Sequence, residues 1–367
     1  VALSKNHDVV VVTDEVRRSP IEAYLKRHQA APNLVFKFFR PKCLRKIPLY
    51  SAGLPLFYTI WQLLLLPFAK RLHKRYHFDL AVHITYGVFR HRSFLGFLDI
   101  PFVFGPLGGG EDAPMDLKRS IQGREKIKEL IRSWANMAAK VDPLLWVSMF
   151  KSTHILTKTF ETRKALPWPY RGRAVVFSEI GIEAPPACEI NSRMPNEPMK
   201  VVFAGRLEGW KGVHLAIRAV AEAKSIGLPI EFTLVGRGPY EVELRRLAKR
   251  LEIEQYIIWK SYMQQQDLFT LFRVAHCFLF PSLHDSSGNV VLEAQAFACP
   301  VICLDLGGPA TLVTKDTALI VPTTNAGEED IVNRLTQCLK LLCLDEERRF
   351  AMANAAFRHA RRRTWQE

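Results

Sequence analysis

The sequence lacks the short motifs that mark several large classes of enzyme. It contains no Asp-x-Asp triplet, no Gly-x-x-x-x-Gly-Lys-Ser/Thr loop and no Gly-x-Ser-x-Gly elbow. It also has no Cys-x-x-Cys pair and no His, Cys, Asp and Glu group with metal-ligand spacing. These absences argue against a P-loop nucleotidase and an α/β-hydrolase. They also lead us to expect no bound metal and no cofactor.

Cysteine is sparse, with seven among 367 residues. Cys277, Cys299 and Cys303 lie in apolar, strand-like runs, which predicts reduced thiols in a cytoplasmic protein. The sequence starts at Val1 without Met and stops at Glu367 directly after a predicted helix. We therefore expect it to be a piece of a longer protein.

Charge of one sign dominates, because 51 Lys and Arg face 36 Asp and Glu, a net charge of +15. Such an excess predicts an anionic partner. The aromatic residues are not interleaved with the basic ones and no nucleic-acid module is present, so we expect no nucleic acid. A phosphorylated substrate and an acidic membrane surface remain the two candidate partners.

One long run, residues 49–69, has no charged residue. Four basic residues follow it, Lys70, Arg71, Lys74 and Arg75. The length could span a bilayer, but Pro55 and Pro67 interrupt the run and strand-like segments resume directly after it. We favour a helical region packed in its domain over one lying on an anionic membrane surface, and both remain open.

The pattern of strands and helices predicts two α/β domains. Residues 1–183 alternate strand-like runs with helical segments, including a charged surface helix over 117–140. Residues 184–198 are rich in proline and form a predicted linker. From 199 to 367, predicted strands at 200–204, 230–235, 256–259, 277–280 and 300–304 alternate with helices, which is typical of a parallel sheet with helices on both faces.

The first strand of the second half ends in a glycine-flanked loop that carries two cations. Gly205 and Gly212 bracket Arg206 and Lys211, which stand five positions apart. A planar guanidinium beside a compact ammonium suits a diphosphate. The alternative is two solvated cations on an ordinary loop, which the glycines argue against.

Residues 281–300 form a strand end, a tight loop and a helix N-terminus, an arrangement that offers backbone N–H groups to an anion. Asp285 and Glu293 stand about two helical turns apart and could contact two ends of one elongated polar ligand. Its phosphate would lie over the amides of Gly288, Asn289 and Val290. The alternative is an ordinary loop with solvated acids.

Other strand ends carry further candidate residues. Gly236, Arg237 and Gly238 follow one strand, and Lys260 and Ser261 follow the next. In parallel sheets, ligands bind at the carboxyl ends of strands. In the first half, a strand ends in a glycine run that continues into an acidic residue, namely Gly108, Gly109, Gly110 and Glu111.

Three motifs resemble the donor-binding half of retaining glycosyltransferases of the GT-B fold, family 4 in particular. They are GRLEGWKG at 205–212, VGRGP at 235–239 and DSSGNVVLEA at 285–294. The segment 83–114 is also similar to a subgroup of these enzymes. The resemblance implies two Rossmann-like domains facing a central cleft, with the acceptor side in the first domain and the donor side in the second.

The resemblance also implies roles for individual residues. Arg206 and Lys211 would hold the diphosphate of a nucleotide sugar, Glu293 the ribose and Asp285 the sugar hydroxyls. The donor set would further include Gly205, Gly236, Arg237, Gly238, Lys260, Ser261, Gly288, Asn289 and Val290. Gly108 to Glu111 would lie on the acceptor side. Members of the family need no metal, and no protein nucleophile is assigned.

The sequence departs from the family pattern at two positions. Asp285 stands where the family has Glu, and Gly105 stands where many members have His, with His83 as a weak substitute. The family's first strand and its final returning helix would lie outside the 367 residues.

The sequence therefore predicts metal-independent, retaining transfer of a sugar to a glycan or lipid-linked glycan, at the cytoplasmic face of a membrane. One alternative is an inactive nucleotide-sugar-binding subunit, and another is sugar-nucleotide epimerisation. A third is a membrane-surface protein that uses residues 49–75.

Overall fold

The computed structural model describes residues 3–27, 32–44, 54–84, 86–185, 190, 193–194 and 197–365. At Leu54, Pro55 and Ser120 it describes the backbone alone. Most of the predicted linker 184–198, Cys188 and the start of the uncharged run therefore lie outside the described residues.

The elements up to residue 185 comprise six strands and seven α-helices among the described residues. The strands are β1 Val9–Thr13, β2 Leu34–Phe38, β3 Ala81–His83, β4 Phe102–Leu107, β5 His154–Thr157 and β6 Ala174–Val176. The helices are α1 Arg18–Arg27, α2 Leu54–Tyr76, α3 Met115–Ser120, α4 Gly123–Ala139, α5 Pro143–Phe150, α6 Phe160–Ala165 and α7 Trp168–Arg171.

The elements from residue 197 onward alternate along the chain. The strands are β7 Met199–Ala204, β8 Ile230–Val235, β9 Ile257–Lys260, β10 Cys277–Phe280, β11 Val301–Leu304 and β12 Ala318–Val321. The helices are α8 Val213–Ser225, α9 Glu241–Arg250, α10 Gln265–Val274, α11 Asn289–Ala296, α12 Gly307–Thr311, α13 Glu328–Leu344 and α14 Glu346–Arg361.

The chain divides into two compact units. The first contains residues 1–105 and 142–155, and the second contains residues 106–141 and 156–365. This grouping follows contacts and not sequence order, because the chain leaves the first unit and returns to it. The division at residues 184–198 stays a prediction.

In the first unit, α2 buries one face. Phe57, Tyr58, Trp61 and Leu65 form an apolar cluster with Leu44, and each is less than a tenth exposed. The helix continues beyond Pro67 to Tyr76, with Ala69 and Leu72 also buried. The uncharged run is thus helical where it is described. Within the described residues, no helix is both long and apolar enough to cross a membrane.

In the second unit, six strands form one sheet in the order β12-β11-β10-β7-β8-β9. Every neighbouring pair is parallel. This is the strand order of a doubly wound sheet. Successive strands are added on one side of β7 and then, from β10, on its other side, and ligands bind such sheets at this point. The predicted parallel sheet is confirmed. β12 was not among the predicted strands, because four apolar residues are also compatible with a loop or a helix end.

The core of the second unit lies on both faces of this sheet. Val201, Phe203, Phe232, Leu234 and Phe280 are fully buried. Fully burying a side chain of this size contributes about 1.5–3 kcal/mol. Continuous apolar strands of this kind are buried on both faces because helices cover the sheet on both sides. The packed sheet gives the loops at its carboxyl ends a rigid support.

The predicted surface helix over 117–140 is corrected in two respects. It is two helices, α3 and α4. Helix α4 begins at Gly123, whose φ of +64° favours glycine. One side of α4 is also buried, including Glu125 and Glu129 at 6% and 4% exposure. Periodicity showed that the segment is amphipathic but did not show which face turns inward.

The six described cysteines are free thiols. Burial raises the pKa of Cys303 to about 12 and that of Cys338 to about 11. Both side chains are therefore protonated, unreactive core groups at neutral pH.

Candidate active site

A cavity of about 780 Å³ opens at the carboxyl ends of the strands in the second unit. Ala204 at the end of β7 and Val235 at the end of β8 line it, together with residues 285, 287–290 and 293 beyond β10. This is the edge at which the strand order reverses. The topology therefore brings together loops that lie far apart in the sequence.

The loop after β7 depends on glycine at the neighbouring strand end. A Cβ on Gly236, where φ is +148°, would lie 1.8 Å from the Gly205 carbonyl oxygen. Arg206 then projects from the loop with 74% of its side chain exposed, and its guanidinium pairs with Glu208 at 2.6 Å. Arg206 thus lines the cavity as an exposed cation.

Lys211 is placed quite differently from Arg206. It lies in a 3₁₀ turn, Gly209–Lys211, which ends at Gly212 with φ +68°. The side chain of Lys211 is 11% exposed, and its ammonium contacts the carboxylate of Asp285. That ammonium also lies 4.3 Å from the centre of the Trp210 ring. The charge is therefore fixed in position before any ligand binds.

The Asp285 loop is held by the turn that follows β11. The Gly308 N–H donates to the Asp285 carbonyl oxygen at 2.6 Å. Within the loop, the Ser287 N–H donates to Asp285 Oδ1 at 3.2 Å. The glycine turn at 307–308 therefore helps to hold the Asp285 loop in place.

Helix α11 points its N-terminus into the cavity. Gly288 precedes the helix with φ +73°, and Gly288, Asn289 and Val290 all line the cavity. Its first backbone N–H groups and its dipole favour an anion at this point. About one turn along the helix, burial raises the pKa of Glu293, while a hydrogen bond from Gln265 at 3.2 Å opposes that rise.

Lys158 and Glu179 also line the cavity and were not predicted. Lys158 directly follows β5, and Glu179 lies three residues after the end of β6. The rule that ligands bind at the carboxyl ends of parallel strands, applied to these strands as well, could have found both residues. Their side chains form an ion pair, and Lys158 Nζ lies 3.3 Å from Ser287 Oγ. The second Glu179 oxygen is buried and has no hydrogen-bond partner among the described residues.

The glycine run at 108–111 contacts the Asp285 loop within the second unit. The Gly109 N–H donates to Ser286 Oγ at 2.9 Å. Glu111 is 1% exposed, and both of its oxygens accept hydrogen bonds. The donors to Glu111 are Gly109, Thr159, Thr162 and Ser286. Glu111 thus links the glycine run to the loop that carries Asp285 through buried hydrogen bonds. The acceptor-side role of residues 108–111 stays a prediction.

Most of the predicted donor residues meet in this one cavity. Those that line it are Gly205, Arg206, Lys211, Gly236, Arg237, Ser261, Asp285, Gly288, Asn289, Val290 and Glu293. Gly238 instead packs against the Leu207 backbone, where a Cβ would lie 2.3 Å from the carbonyl oxygen. The backbone carbonyl oxygen of Lys260 accepts a hydrogen bond from the Gly236 N–H at 2.8 Å, which helps to hold the neighbouring loop in place.

The charges around the cavity suit a ligand that is anionic at its centre and rich in hydroxyl groups. Arg206, Lys211 and the N-terminus of α11 offer positive potential. Asp285, Glu179 and Glu293 offer acceptors for hydroxyl groups. No group of three His, Cys, Asp or Glu residues in the described part of the chain could hold a metal ion.

Comparison with known proteins agrees with this description of the second unit. Residues 190–359 match the family model described as glycosyl transferases group 1. The match is slightly less than half of the 367 residues and contains Arg206, Lys211, Asp285 and Glu293. The chain thus carries a glycosyl transferases group 1 domain.

Two curated relatives each match less than half of the chain. A D-inositol 3-phosphate glycosyltransferase from Corynebacterium aurimucosum is 31% identical over 179 residues, 47% of this chain and 41% of the relative. A putative colanic acid biosynthesis glycosyltransferase, WcaL, from Salmonella typhimurium is 24% identical over 159 residues, 41% of this chain and 39% of the relative. The chain spans about two fifths of the length of the curated relatives it matches.

Solved structures extend the likeness in fold to nearly the whole chain. HepE from Anabaena, in complex with UDP and glucose, is 16% identical with a TM-score of 0.57. The alignment covers 99% of this chain and 90% of HepE. The α/β class and the GT-B fold predicted from the sequence are confirmed.

Proposed function

We propose that the protein transfers a sugar, with retention of configuration, from a nucleoside diphosphate sugar to a glycan or lipid-linked glycan. This proposal rests on the buried ion pair of Lys211 and Asp285. The pair lines a cavity that is also lined by Arg206 and the N-terminus of α11. A diphosphate and a sugar are the two ligand parts that these groups would bind.

The donor would lie with its diphosphate against Lys211 and the first amides of α11. Arg206 would leave Glu208 and turn onto the diphosphate, which its exposed side chain permits. Positive groups placed where the departing diphosphate gains charge stabilise the transition state without reorganisation. The family resemblance supports retention, and we assign no protein nucleophile.

Hydroxyl groups of the donor would complete the site. Glu293, about one turn along α11, would accept from the ribose, and Asp285 would accept from the transferred sugar. The buried Glu179 oxygen without a hydrogen-bond partner offers one further acceptor. HepE holds UDP and glucose on the same fold, which supports a nucleotide sugar as donor.

We further propose that the reaction needs no metal, because Arg206 and Lys211 would offset the negative charge of the diphosphate in place of a metal ion. The acceptor would lie at the cytoplasmic face of a membrane. This placement rests on the family resemblance and on the net charge of +15, which favours an anionic surface.

A donor-consumption assay tests the proposal. Release of UDP, GDP or ADP from a panel of nucleotide sugars should be measured in EDTA, with a crude glycan fraction as acceptor. We expect one donor to be consumed, and NMR of its product to show the anomeric configuration of the donor. Inversion of configuration, or consumption that only Mg²⁺ or Mn²⁺ supports, would contradict the mechanism.

An inactive nucleotide-sugar-binding subunit is a second candidate function. It is favoured by Asp285, which is one methylene shorter than the family's Glu and already paired with Lys211. This alternative predicts binding of the nucleotide sugar without turnover in the native protein. It also predicts that Asp285→Glu gains turnover, whereas an active native enzyme would not need the longer side chain.

A further inference from the structure

Helix α4 carries its large apolar side chains on the side that faces solvent. Their spacings of three and four residues place all of them on one face of the helix. They are Ile127, Leu130, Ile131, Trp134 and Met137, with exposed fractions of 59%, 50%, 62%, 69% and 59%. A contiguous apolar face of this kind on a folded protein marks a surface that binds a partner.

The opposite face of α4 is polar, buried and bonded, so the outward orientation is fixed. Glu129 contacts His284 at 2.8 Å, and both side chains are about 5% exposed. Ser133 accepts from the ammonium of Lys118 at 2.7 Å. Turning the helix over would break these contacts, which involve the buried side chains of His284 and Lys118.

Basic residues border the apolar face. Arg124, Lys126, Lys128 and Lys140 are exposed on the two sides of the helix. An apolar face that includes Trp, bordered by Lys and Arg, is the composition of helices that lie in the interface of an anionic bilayer. We propose that α4 docks the protein on an anionic phospholipid surface, with Ile131 and Trp134 inserted among the lipids.

A second copy of the chain fits this face less well than a lipid surface. Two copies that met through α4 would bring their basic borders together, and like charges at an interface oppose association. Anionic head groups carry the opposite charge and complement the same borders. The charges therefore select lipid as the occupant.

The proposed docking element differs from the run 49–75 considered in the sequence analysis. Helix α2 turns its aromatic side chains inward, where Phe57 and Trp61 are buried. The proposal is also independent of the proposed glycosyl transfer, because no residue of the α4 face lines the cavity.

Vesicle co-sedimentation of the whole chain tests the proposal. Vesicles of phosphatidylcholine with 30% phosphatidylglycerol should bind the wild type, and pure phosphatidylcholine should bind it far less. Ile131→Glu and Trp134→Ser should each weaken the partition coefficient ~10-fold or more, about 1.4 kcal/mol. Matched controls at exposed positions elsewhere, Leu56→Glu (68% exposed) and Trp168→Ser (76% exposed), should bind like the wild type.

Three results would overturn the proposal. The wild type would show no preference for anionic vesicles, or the control variants would lose binding as the α4 variants do. Alternatively, sedimentation velocity would show a wild-type dimer that Ile131→Glu dissociates, without vesicle binding by either. Calorimetry with UDP on the same variants separates the two proposals, since nucleotide affinity should not change in the α4 variants.

Discussion

The ammonium of Lys211 lies against the carboxylate of Asp285, and both side chains are largely buried, at 11% and 14% exposure. The two residues are 74 positions apart in the sequence. The pair orients a cation and an acceptor at one point of the cavity. A phosphate could share the ammonium, while a sugar hydroxyl could donate to the carboxylate.

The pair makes a prediction about stability. Lys211→Met or Asp285→Asn alone should lower the free energy of unfolding by about 3 kcal/mol, because each leaves a buried charge without its partner. The double variant should lose clearly less than the sum of the two. Urea denaturation measures this coupling.

Additive losses in that cycle would show that the two charges do not interact. Arg206→Ala is the control, since a side chain that is 74% exposed should change the free energy of unfolding by less than about 0.5 kcal/mol.

The raised pKa of Glu293 makes a prediction about pH. Burial raises this pKa above 4.5, so the folded protein binds the proton more tightly than the unfolded chain. Stability is therefore lost as the pH rises from 4.5 through the folded pKa. Glu293→Gln should raise the melting temperature at pH 7 and leave it unchanged near pH 4.

Because solvent reaches part of this side chain, the gain at pH 7 should stay below about 1 kcal/mol. A melting temperature that falls at pH 7 in Glu293→Gln would mean that the carboxylate is stabilised, not strained, in the folded protein.

The buried hydrogen bonds of Glu111 lead to a prediction that links the stability of the protein to its nucleotide affinity. Glu111→Ala should leave three hydroxyl groups without this acceptor and the Gly109 N–H with Ser286 Oγ alone, at a cost of about 1–3 kcal/mol. It should also weaken nucleotide affinity, because Ser286 would no longer hold the loop that carries Asp285.

Glu111→Gln keeps the shape and part of the acceptor capacity and should restore most of the lost stability. Glu347→Ala, at an exposed position, is the control for loss of a carboxylate. Unchanged nucleotide affinity in a folded Glu111→Ala variant would contradict the proposed link.

The sequence predicted the doubly wound sheet well, because apolar strands and amphipathic helices alternate from Met199 onward. It also placed Arg206, Asp285 and Glu293 at one edge, since the carboxyl ends of parallel strands meet there. It could not show the pairing of Lys211 with Asp285, which depends on tertiary packing. Nor could it show that α4 faces inward with its polar side, because periodicity alone does not determine which face is buried.

Calorimetric titration of the whole chain with UDP, GDP and ADP in EDTA tests the central claim most directly. We predict micromolar binding of one nucleotide, weakened ~10-fold or more in Lys211→Met, a loss of about 1.4 kcal/mol. Lys118→Met is the matched control, because Lys118 is a buried lysine paired with Asp112 at 2.7 Å and does not line the cavity. Equal weakening in both variants, or no binding by a wild type that melts cooperatively, would contradict the assignment of the cavity as a nucleotide-sugar site.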